Sequence, residues 1–558
     1  MSPIAESRSH QLDQLRRGAE VLVIGGGITG AGVALDAASR GYGVGLVEQS
    51  DFASATSSRS TKLVHGGVRY LPQGHLGLVH QALRERRRLL RLAPHLVRPL
   101  PFLLPLYAGA RRPLGLRLPS FALPLAPLGV RAGLIVYDLF ARDPGLHHRA
   151  ISRTQVTQEA TDLRTDHLRA AFVYYDARTD DVRLTHAVLS AARSYGAATV
   201  NYCRVVDLVR RGGRIAGARI EDRLTGGVFE VEAKHVVNAT GVWAQRVAAL
   251  DGPVTFHLRH SLGTHVVLQP ATVRTSLALV IPETDDGRIA FIIPWEDRFV
   301  LGTTDTPYDG DLDAPVASAE EVTYLLHHAN RYLRRPLNPV DITSAYAGIR
   351  PLVAASEHAT AALARDHHVV ASRGGLISII GGKLTTFRAM AEATVDAIDS
   401  REGTGRQCVT ATRPLWDAAS MADVELAVTN SALAHDQRTR LLESYGGAAG
   451  DLLALIQREP ALAAPLIDGL PVSAAEIVYA CRAEMAVSLT DCLFLRTRLA
   501  VLDPVAADRV APSVAQLLAR ELGWDARDTA HQLEQYTKRR GRETAWASRP
   551  FASAAQDF

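Results

Sequence analysis

The chain has 558 residues, of which 47% are hydrophobic and 22% are charged, a composition typical of a globular protein with two to four folding units. Its formal net charge of +4 is small for this length, which argues against a nucleic-acid-binding protein. The four cysteines are widely spaced and form no C-x-x-C pair, so we expect a reducing compartment, no disulfide framework and no metal site.

The first predicted elements surround a cluster of glycines. An apolar run at residues 21–24, an Ala-rich periodic segment and a second apolar run predict strand, tight turn, helix and strand. Gly25, Gly27 and Gly30 form the pattern G-x-G-x-x-G between the first strand and the helix. Without Cβ atoms, such a turn can tighten, approach a pyrophosphate and bring the helix close to the strand. We therefore predict a dinucleotide site.

The residues after this turn extend the predicted site. Ile28 and Thr29 begin the helix, whose free N–H groups would face the phosphates. Glu48 ends the second strand, where a carboxylate can accept hydrogen bonds from an adenosine ribose.

The loop that follows indicates which dinucleotide is bound. Its sequence, DFASATSSRSTKLVHGGVRYL, is rich in hydroxyl side chains, whereas a nicotinamide enzyme would continue into another βα unit. It resembles the FAD-binding segment of the flavin-dependent glycerol-3-phosphate dehydrogenases, in the D-amino-acid-oxidase-like superfamily. The resemblance implies that the loop wraps FAD and contacts it through Thr56, Ser57, Ser58, Lys62, Leu63, His65, Gly66 and Gly67.

An amphipathic helix is predicted at residues 80–92, and an apolar, proline-rich segment follows at residues 100–140. Prolines interrupt every apolar run, so we expect no membrane span. An arginine-rich apolar segment can instead lie in the lipid interface, attracted by anionic head groups, although interior packing is the alternative. The arginines in and around this segment are Arg98, Arg111, Arg112, Arg117 and Arg131.

Two later segments resemble parts of the same family that return to FAD. After a predicted helix at residues 180–192, a strand carries Val205 and Val206, which the resemblance places beside the adenine. The motif NATG then supplies Ala239 and Gly241 at a turn that returns to the cofactor.

The middle of the chain has the period-two alternation of an antiparallel sheet, at residues 257–268 and 289–305. Further strands are predicted around residues 345–353 and 367–380, and GGKLTTF then opens a helix that runs to about residue 398. Glycines at the start of this helix suggest a contact with the flavin ring. The residues concerned are Gly382, Lys383, Leu384 and Thr385.

The predicted fold is α/β, with a Rossmann-like FAD-binding domain, an antiparallel-sheet substrate domain of the D-amino-acid-oxidase type and a C-terminal α-helical domain. The resemblance spans residues 20–500 and rests on six motifs in order: GGGITGAG, ATSSRSTKLVHGGVRYL, NATG, IPWEDRFVLGTTD, GIRPL and GGKLTTF. We assign residues 19–99, 185–256 and 340–400 to the FAD domain, 100–184 and 257–339 to the substrate domain, and 401–558 to the helical domain.

The resemblance implies oxidation of sn-glycerol 3-phosphate to dihydroxyacetone phosphate, with hydride passing from C2 to FAD N5 and electrons passing on to membrane quinone. It places Arg69, Arg350 and Lys383 near the substrate, with Arg365 as a further cation. Arginine suits a phosphate dianion because its planar fork donates two parallel hydrogen bonds.

Two histidines, His65 and His265, are candidates for the base because imidazole titrates near neutral pH. Tyr70, Thr304 and Asp305 are expected to orient the substrate. The family often has a basic residue where Leu262 stands, so the charge around His265 differs from the family pattern.

The expected partners are sn-glycerol 3-phosphate, a membrane quinone and an anionic membrane surface on the cytoplasmic face of the cell membrane. A second copy of the chain, forming a homodimer, is a further candidate partner, and the sequence leaves the oligomeric state open. Three other functions stay open. One is a glycerol-3-phosphate oxidase that passes electrons to oxygen, another is a non-catalytic FAD-binding scaffold, and the third is an amine or 2-hydroxy-acid oxidoreductase of the same superfamily. Several candidate cations favour a phosphate dianion over a carboxylate, which one arginine can satisfy.

Overall fold

The computed structural model describes residues 8–108, 123–354, 367–416 and 418–548. Its first sheet is built on β1 (Ala19–Ile24), which pairs in parallel with β2 (Val44–Val47) and with β10 (Val228–Asn238). Val21, Leu22 and Val23 are fully buried, as expected for a strand covered on both faces. The other strands of this sheet are β7 (Ala198–Val200), β8 (Cys203–Arg211), β9 (Arg214–Asp222), β17 (His367–Ala371) and β18 (Ile377–Gly381).

The second sheet is largely antiparallel and lies beside the first. Its longest pairing joins β11 (His257–Leu268) to β16 (Ile342–Ala354). The remaining strands are β3 (Leu63–Val64), β4 (Arg98–Tyr107), β5 (Arg149–Ile151), β6 (Leu168–Arg178), β12 (Ala278–Ile281), β13 (Ala290–Trp295), β14 (Arg298–Gly302) and β15 (Thr306–Pro307).

Helices cover the first sheet and form a separate C-terminal unit. Those within the two sheet domains are α1 (Arg8–Arg16), α2 (Ile28–Ser39), α3 (Leu76–Leu92), α4 (Ala126–Ala141), α5 (Arg153–Glu159), α6 (Asp181–Ser194), α7 (Ala244–Ala249), α8 (Ala319–Asn330) and α9 (Phe387–Glu402). The C-terminal helices are α10 (Ala418–Thr429), α11 (His435–Tyr445), α12 (Ala449–Arg458), α13 (Ala474–Glu484), α14 (Leu499–Leu502), α15 (Pro504–Leu522) and α16 (Ala526–Glu543).

These elements confirm the expected fold class: a parallel sheet with helices, an antiparallel second sheet and a helical C-terminal unit. The strand pairing differs from the predicted boundary between the substrate domain and the last part of the FAD domain. Residues 340–354 were assigned to the FAD domain, but β16 pairs along its length with β11 in the second sheet.

A buried ion pair fastens the helical unit to the FAD domain. Arg496 lies in a π-helical turn (Asp491–Arg496), and its Nη1 is 2.5 Å from Oδ2 of Asp51. Both side chains are almost completely buried, so each charge depends on the other for compensation.

The first part of the segment expected at the membrane is interior packing. β4 pairs with β6 along most of its length, and Leu103 and Leu104 are fully buried. An interfacial role for residues 100–107 is therefore wrong, because their apolar side chains fill the core of the second sheet. The arginines at 111, 112 and 117 lie outside the described residues.

The last part of that segment is a helix rather than a proline-broken loop. Residues Leu123–Ala141 form a helix of 19 residues that is long and apolar enough to cross a membrane by length and composition, with 11% of its most apolar window buried. Pro124 and Pro127 lie at its start, where a missing N–H is tolerated, so they do not break it. This differs from the expectation that prolines interrupt every apolar run.

Candidate active site

The glycine turn is shaped for close approach of a ligand. Gly25 has a φ of +112°, and a Cβ there would lie 2.6 Å from the carbonyl oxygen of Ala239. Gly27 precedes α2 without a side-chain cap, and the N–H of Ile28 donates to Oγ of Ser57 at 2.9 Å. The N-terminus of α2 therefore faces the adjoining cavity with the partial positive charge that phosphate groups favour.

Glu48 lies in the predicted position at the end of β2. Its Oε2 accepts from the N–H of Gly26 at 2.7 Å, and its Oε1 accepts from the N–H of Ser50 at 2.9 Å. Burial raises the pKa of Glu48, while these two N–H groups act in the opposite direction. Each carboxylate oxygen keeps a lone pair through which a ribose hydroxyl can be bound.

A cavity of about 380 Å³ runs from this turn to the second sheet. Its lining carries most of the predicted cofactor residues and combines hydroxyl groups, backbone and apolar side chains, which suits a cofactor with both polar and apolar parts. The predicted cofactor residues that line it are Gly25, Gly27, Ile28, Thr29, Glu48, Thr56, Ser57, Leu63, His65, Gly67, Val205, Ala239, Gly241, Gly382, Lys383, Leu384 and Thr385.

Five predicted cofactor residues do not line the cavity: Gly30, Ser58, Lys62, Gly66 and Val206. Gly30 lets α2 pack on the turn, because a Cβ there would lie 1.9 Å from the Gly25 oxygen. Ser58 is buried, and its hydroxyl donates to the Ala55 oxygen at 3.0 Å. Val206 has its side chain exposed at the surface of β8. Gly30 thus serves helix packing, and Ser58 closes the loop.

Lys62 and Gly66 also differ from the prediction. The ammonium group of Lys62 is buried and lies 2.7 Å from Asp181, so it holds the loop against α6 instead of reaching the cofactor. Burial lowers the pKa of Lys62 to about 8. The N–H of Gly66 donates to the Tyr137 hydroxyl at 3.0 Å and to Asp176 at 3.1 Å, which ties the loop to α4 and β6.

Arg350 lies on β16 and is held by groups that follow β14. Its Nη1 donates to the Thr304 oxygen at 3.0 Å and lies 3.2 Å from Asp305. Its Nη2 donates to the Thr303 hydroxyl at 2.9 Å. These contacts fix the plane of the guanidinium at the cavity wall, where it can present its fork to an anion.

Two further predicted cations meet at one tyrosine ring. Nη2 of Arg69 donates to the Tyr70 hydroxyl at 2.9 Å, and its Cζ lies 4.9 Å from the ring centroid. Nζ of Lys383 lies 4.3 Å from the same centroid. Burial lowers the pKa of Arg69 to about 10, and the charge of Arg350 acts in the same direction. The three cations therefore share one part of the cavity.

Both candidate histidines line the cavity, in different surroundings. Nε2 of His265 is 2.9 Å from the Thr61 hydroxyl, and the ring stacks on Tyr346 with centroids 4.9 Å apart. Burial keeps the pKa of His265 well below its usual value, so its imidazole is neutral at physiological pH. The N–H of His65 donates to Oγ1 of Thr385 at 3.0 Å, which joins the loop to the turn before α9.

Asp305 and Thr304 are both at the cavity, but the Thr304 hydroxyl points elsewhere. It donates to Glu321 at 2.8 Å and accepts from the N–H of Thr264 at 2.8 Å. Thr304 therefore acts on a substrate only indirectly, through its carbonyl oxygen, which accepts a hydrogen bond from Arg350. Arg365 lies outside the described residues.

Sequence reasoning missed Arg288, which follows β12 and lines the same cavity. Burial is the main cause that lowers the pKa values of Arg69 and Arg350, and the charge of Arg288 acts in the same direction on both. The sequence does contain a signal for it: Arg288 ends the turn DGR, just before the strand β13. A cation at the start of a strand that enters the site is a candidate for binding an anion.

Comparisons with known proteins agree with this geometry. The family model described as FAD dependent oxidoreductase matches residues 20–388, and the model described as C-terminal domain of alpha-glycerophosphate oxidase matches residues 408–529.

Named relatives cover nearly the whole chain. Glycerol-3-phosphate dehydrogenase 2 of Mycobacterium tuberculosis is 37% identical over 93% of this chain and 88% of its own length. The mitochondrial glycerol-3-phosphate dehydrogenase of Mus musculus is 36% identical over 95% of this chain and 75% of its own length.

A solved structure is also similar. The glycerol-3-phosphate dehydrogenase of Bacillus halodurans, complexed with FAD, matches with a TM-score of 0.77 and 28% identity, covering 97% of this chain and 98% of that one.

Proposed function

This chain belongs to the family of FAD-dependent glycerol-3-phosphate dehydrogenases, and we propose that it oxidises sn-glycerol 3-phosphate to dihydroxyacetone phosphate and delivers the electrons to a membrane quinone. FAD fits the residues present, because Gly25 permits a tight turn in which a Cβ would lie 2.6 Å from the Ala239 oxygen, and the N-terminus of α2 faces the cavity. When bound, FAD supplies the acceptor for the hydride that leaves C2 of the substrate.

The observation that carries the substrate assignment is the convergence of four cations on one cavity. The cations that line it are Arg69, Arg288, Arg350 and Lys383. Asp305 also lines the cavity and neutralises part of this charge through its contact with Arg350. A phosphate dianion needs more than one positive partner in a buried site, whereas a carboxylate is satisfied by one arginine. The cation cluster thus favours a phosphorylated substrate over an amino acid or a 2-hydroxy acid.

The substrate hydroxyl must lose a proton as C2 is oxidised. His265 is a poor proton acceptor because burial and the charge of Arg350 disfavour its imidazolium form. We therefore assign the base to His65, which lines the cavity on the loop of Gly67. The neutral ring of His265 instead positions that loop through the Thr61 hydroxyl.

The exposed face of α4 supports docking on a membrane surface. Leu128, Ile135 and Leu139 form one stripe along the helix, with 66%, 47% and 64% of each residue exposed. On the opposite side, Leu134 and Tyr137 are buried in the protein. A helix buried along one side in the protein and apolar on the other fits an orientation in the membrane plane better than one across the bilayer.

This docking would place the membrane close to the flavin loop. The Tyr137 hydroxyl on α4 donates to Asp176 at 2.7 Å and accepts from Gly66, beside the loop residues that line the cavity. A quinone reaching α4 from the bilayer would therefore approach the loop that carries His65. The arginine excess around this helix favours the anionic cytoplasmic leaflet.

The acceptor assay separates the dehydrogenase from an oxidase. Purified FAD-loaded protein in anionic vesicles is given sn-glycerol 3-phosphate with a quinone analogue or with oxygen alone, and dihydroxyacetone phosphate and peroxide are both measured. The proposal predicts ketone formation that depends on the quinone. Equal ketone formation in its absence, with one peroxide per turnover, would assign the oxidase activity instead.

A further inference from the structure

Three possible metal ligands meet on the surface of the second sheet, outside the cavity. Asp285 lies in the turn between β12 and β13, and His327 and His328 lie in the last turn of α8. One ligand atom from each lies within 4.8 Å of the other two. We propose that these side chains bind a divalent transition-metal ion of the zinc class.

The distances in this cluster suit a shared ion better than hydrogen bonds. Nε2 of His328 is 3.7 Å from Oδ2 of Asp285, and Nε2 of His327 is 4.0 Å from the same oxygen. Both gaps exceed hydrogen-bond length. Ligands of a tetrahedral zinc ion, each about 2.1 Å from the metal, lie roughly 3.4 Å apart. Reaching that separation from Asp285 requires shifts of about 0.3 Å at His328 and about 0.6 Å at His327, about the range of thermal motion of a side chain.

His328 provides a second observation that points to a ligand. Only 2% of this residue is exposed, and its Nδ1 has no hydrogen-bond partner among the described residues. Its ring is held edge-on by Tyr324, with centroids 4.4 Å apart. The nitrogen that faces Asp285 is Nε2, which lies 3.7 Å from Oδ2, beyond hydrogen-bond length, so a metal between these two atoms would compensate Nε2 for its burial.

Arg331 affects the proposed site in two ways: its charge opposes binding of a metal ion, and its contact orients the carboxylate of Asp285. Its Nη1 lies 2.6 Å from Oδ1 of Asp285, which leaves Oδ2 facing the two histidines. The Arg331 side chain is 39% exposed, so water and salt weaken its repulsion of a cation. Two imidazoles and one carboxylate, with open positions for water, are a ligand set that zinc accepts.

An ion here would act on the proposed substrate site through a short turn. Asp285 is followed by Asp286, which lies 3.2 Å from Arg288 and accepts from the Tyr324 hydroxyl at 2.9 Å. A metal joining Asp285 to α8 would restrict the turn that carries Arg288 at the cavity. This consequence rests on the proposed function, whereas metal binding itself does not.

The chain contains a matched control cluster. Asp138, His147 and His148 have the same composition, but Nδ1 of His148 already lies 2.6 Å from Asp138, within hydrogen-bond length. His147 is 66% exposed, comparable with the 52% of His327. Replacing either exposed histidine by alanine should therefore leave the fold intact.

Zinc binding is measured by competition with a chromogenic zinc chelator, using the untagged, FAD-loaded full chain without substrate. We expect one ion per chain in the wild type and in His147→Ala, and at least about tenfold weaker binding in His327→Ala and Asp285→Asn, the size of a lost ligand or supporting contact. Equal binding by wild type and His327→Ala, or no stoichiometric binding by the wild type, would overturn the site.

A second readout tests the link to the cavity. Zinc should change the KM for sn-glycerol 3-phosphate in the wild type and in His147→Ala, and leave it unchanged in His327→Ala. Stoichiometric binding without any change in KM would keep the metal site and refute its connection to Arg288. Absence of turnover with every variant would count against the proposed function while the chelator result still decides the metal site.

Discussion

Gly263 leaves the space that the Arg350 guanidinium occupies: a Cβ on Gly263 would lie 2.4 Å from Nη2 of Arg350. The two residues lie on adjacent strands, where β11 pairs with β16. Gly263→Ala should therefore displace the guanidinium and raise the KM for sn-glycerol 3-phosphate, with FAD content unchanged because the glycine turn is untouched. The check is steady-state kinetics beside the flavin absorbance. A KM equal to that of wild type would show that the position of Arg350 does not matter for the substrate.

Arg350→Lys tests the fork directly. The lysine keeps the positive charge but loses the paired donors that now reach Thr303 and Thr304. Losing one charged hydrogen bond costs roughly 1.5 to 3 kcal/mol, or about a ten- to hundredfold fall in kcat/KM. Arg219→Lys, on an exposed part of β9, is the control. If Arg350→Lys lowered the FAD content and left kcat/KM of the FAD-loaded protein unchanged, the assignment of Arg350 to the substrate site would be wrong.

Gly27→Val should abolish the yellow colour of the purified protein. A side chain at this position would meet the Ser57 hydroxyl at 3.0 Å and project where the phosphates must approach α2. Gly541→Ala in α16, with open space around its Cβ, should keep a full complement of FAD. Circular dichroism and flavin absorbance report folding and loading separately. A folded Gly27→Val protein with normal FAD content would refute the assignment of the turn.

Replacing the exposed stripe of α4 should release the protein from vesicles. In Leu128→Gln/Leu139→Gln, two exposed apolar side chains lose their favourable transfer into the lipid interface. Binding to anionic vesicles and quinone reduction should both fall, while a soluble dye is still reduced. Leu426→Gln, on α10 and 63% exposed, is the matched control. High salt should weaken binding only in part, because the apolar contribution is not screened. Unchanged binding of the double variant would refute docking through α4.

Stability should depend on pH through Asp491. Burial and the neighbouring Asp51 raise the pKa of Asp491 to about 7. Since the folded state then binds the proton more tightly than the unfolded state, Asp491 stabilises the fold at low pH, and this contribution is lost as the pH rises from about 4 to about 7. The melting temperature of Asp491→Asn should therefore fall less than that of wild type between about pH 5 and pH 8. The control is Asp297→Asn, at an exposed aspartate, whose melting temperature should fall between these pH values as much as that of the wild type. An equally large fall in Asp491→Asn would contradict the prediction.

Local patterns were enough to predict the parts of the site that are continuous in sequence. The turn of Gly25 and Gly27 depends on residues within one βα unit, and the placement of Glu48 follows from the length of that unit. The periodicity of residues 257–268 likewise predicted β11. Such features need no knowledge of distant partners.

Features that depend on distant residues were missed. Lys62 lies in the predicted loop, but its partner Asp181 is 119 positions away, so only the folded chain shows that its charge is used internally. The space that Gly263 leaves for Arg350 depends on strand register, and the position of Arg288 depends on a turn from another part of the sheet. Pro124 and Pro127 suggest a break in the apolar run, but both lie in the first turn of a helix, where proline is tolerated.

The most direct test is an anaerobic titration of the FAD-loaded protein, followed by flavin absorbance. Substoichiometric sn-glycerol 3-phosphate should bleach the flavin and yield one dihydroxyacetone phosphate per flavin reduced, whereas glycerol and lactate, which lack the phosphate, should not bleach it at the same concentration. Arg350→Lys should need more substrate to reach the same bleaching. Bleaching by lactate or glycerol as readily as by sn-glycerol 3-phosphate, or no bleaching by any of the three, would contradict the account.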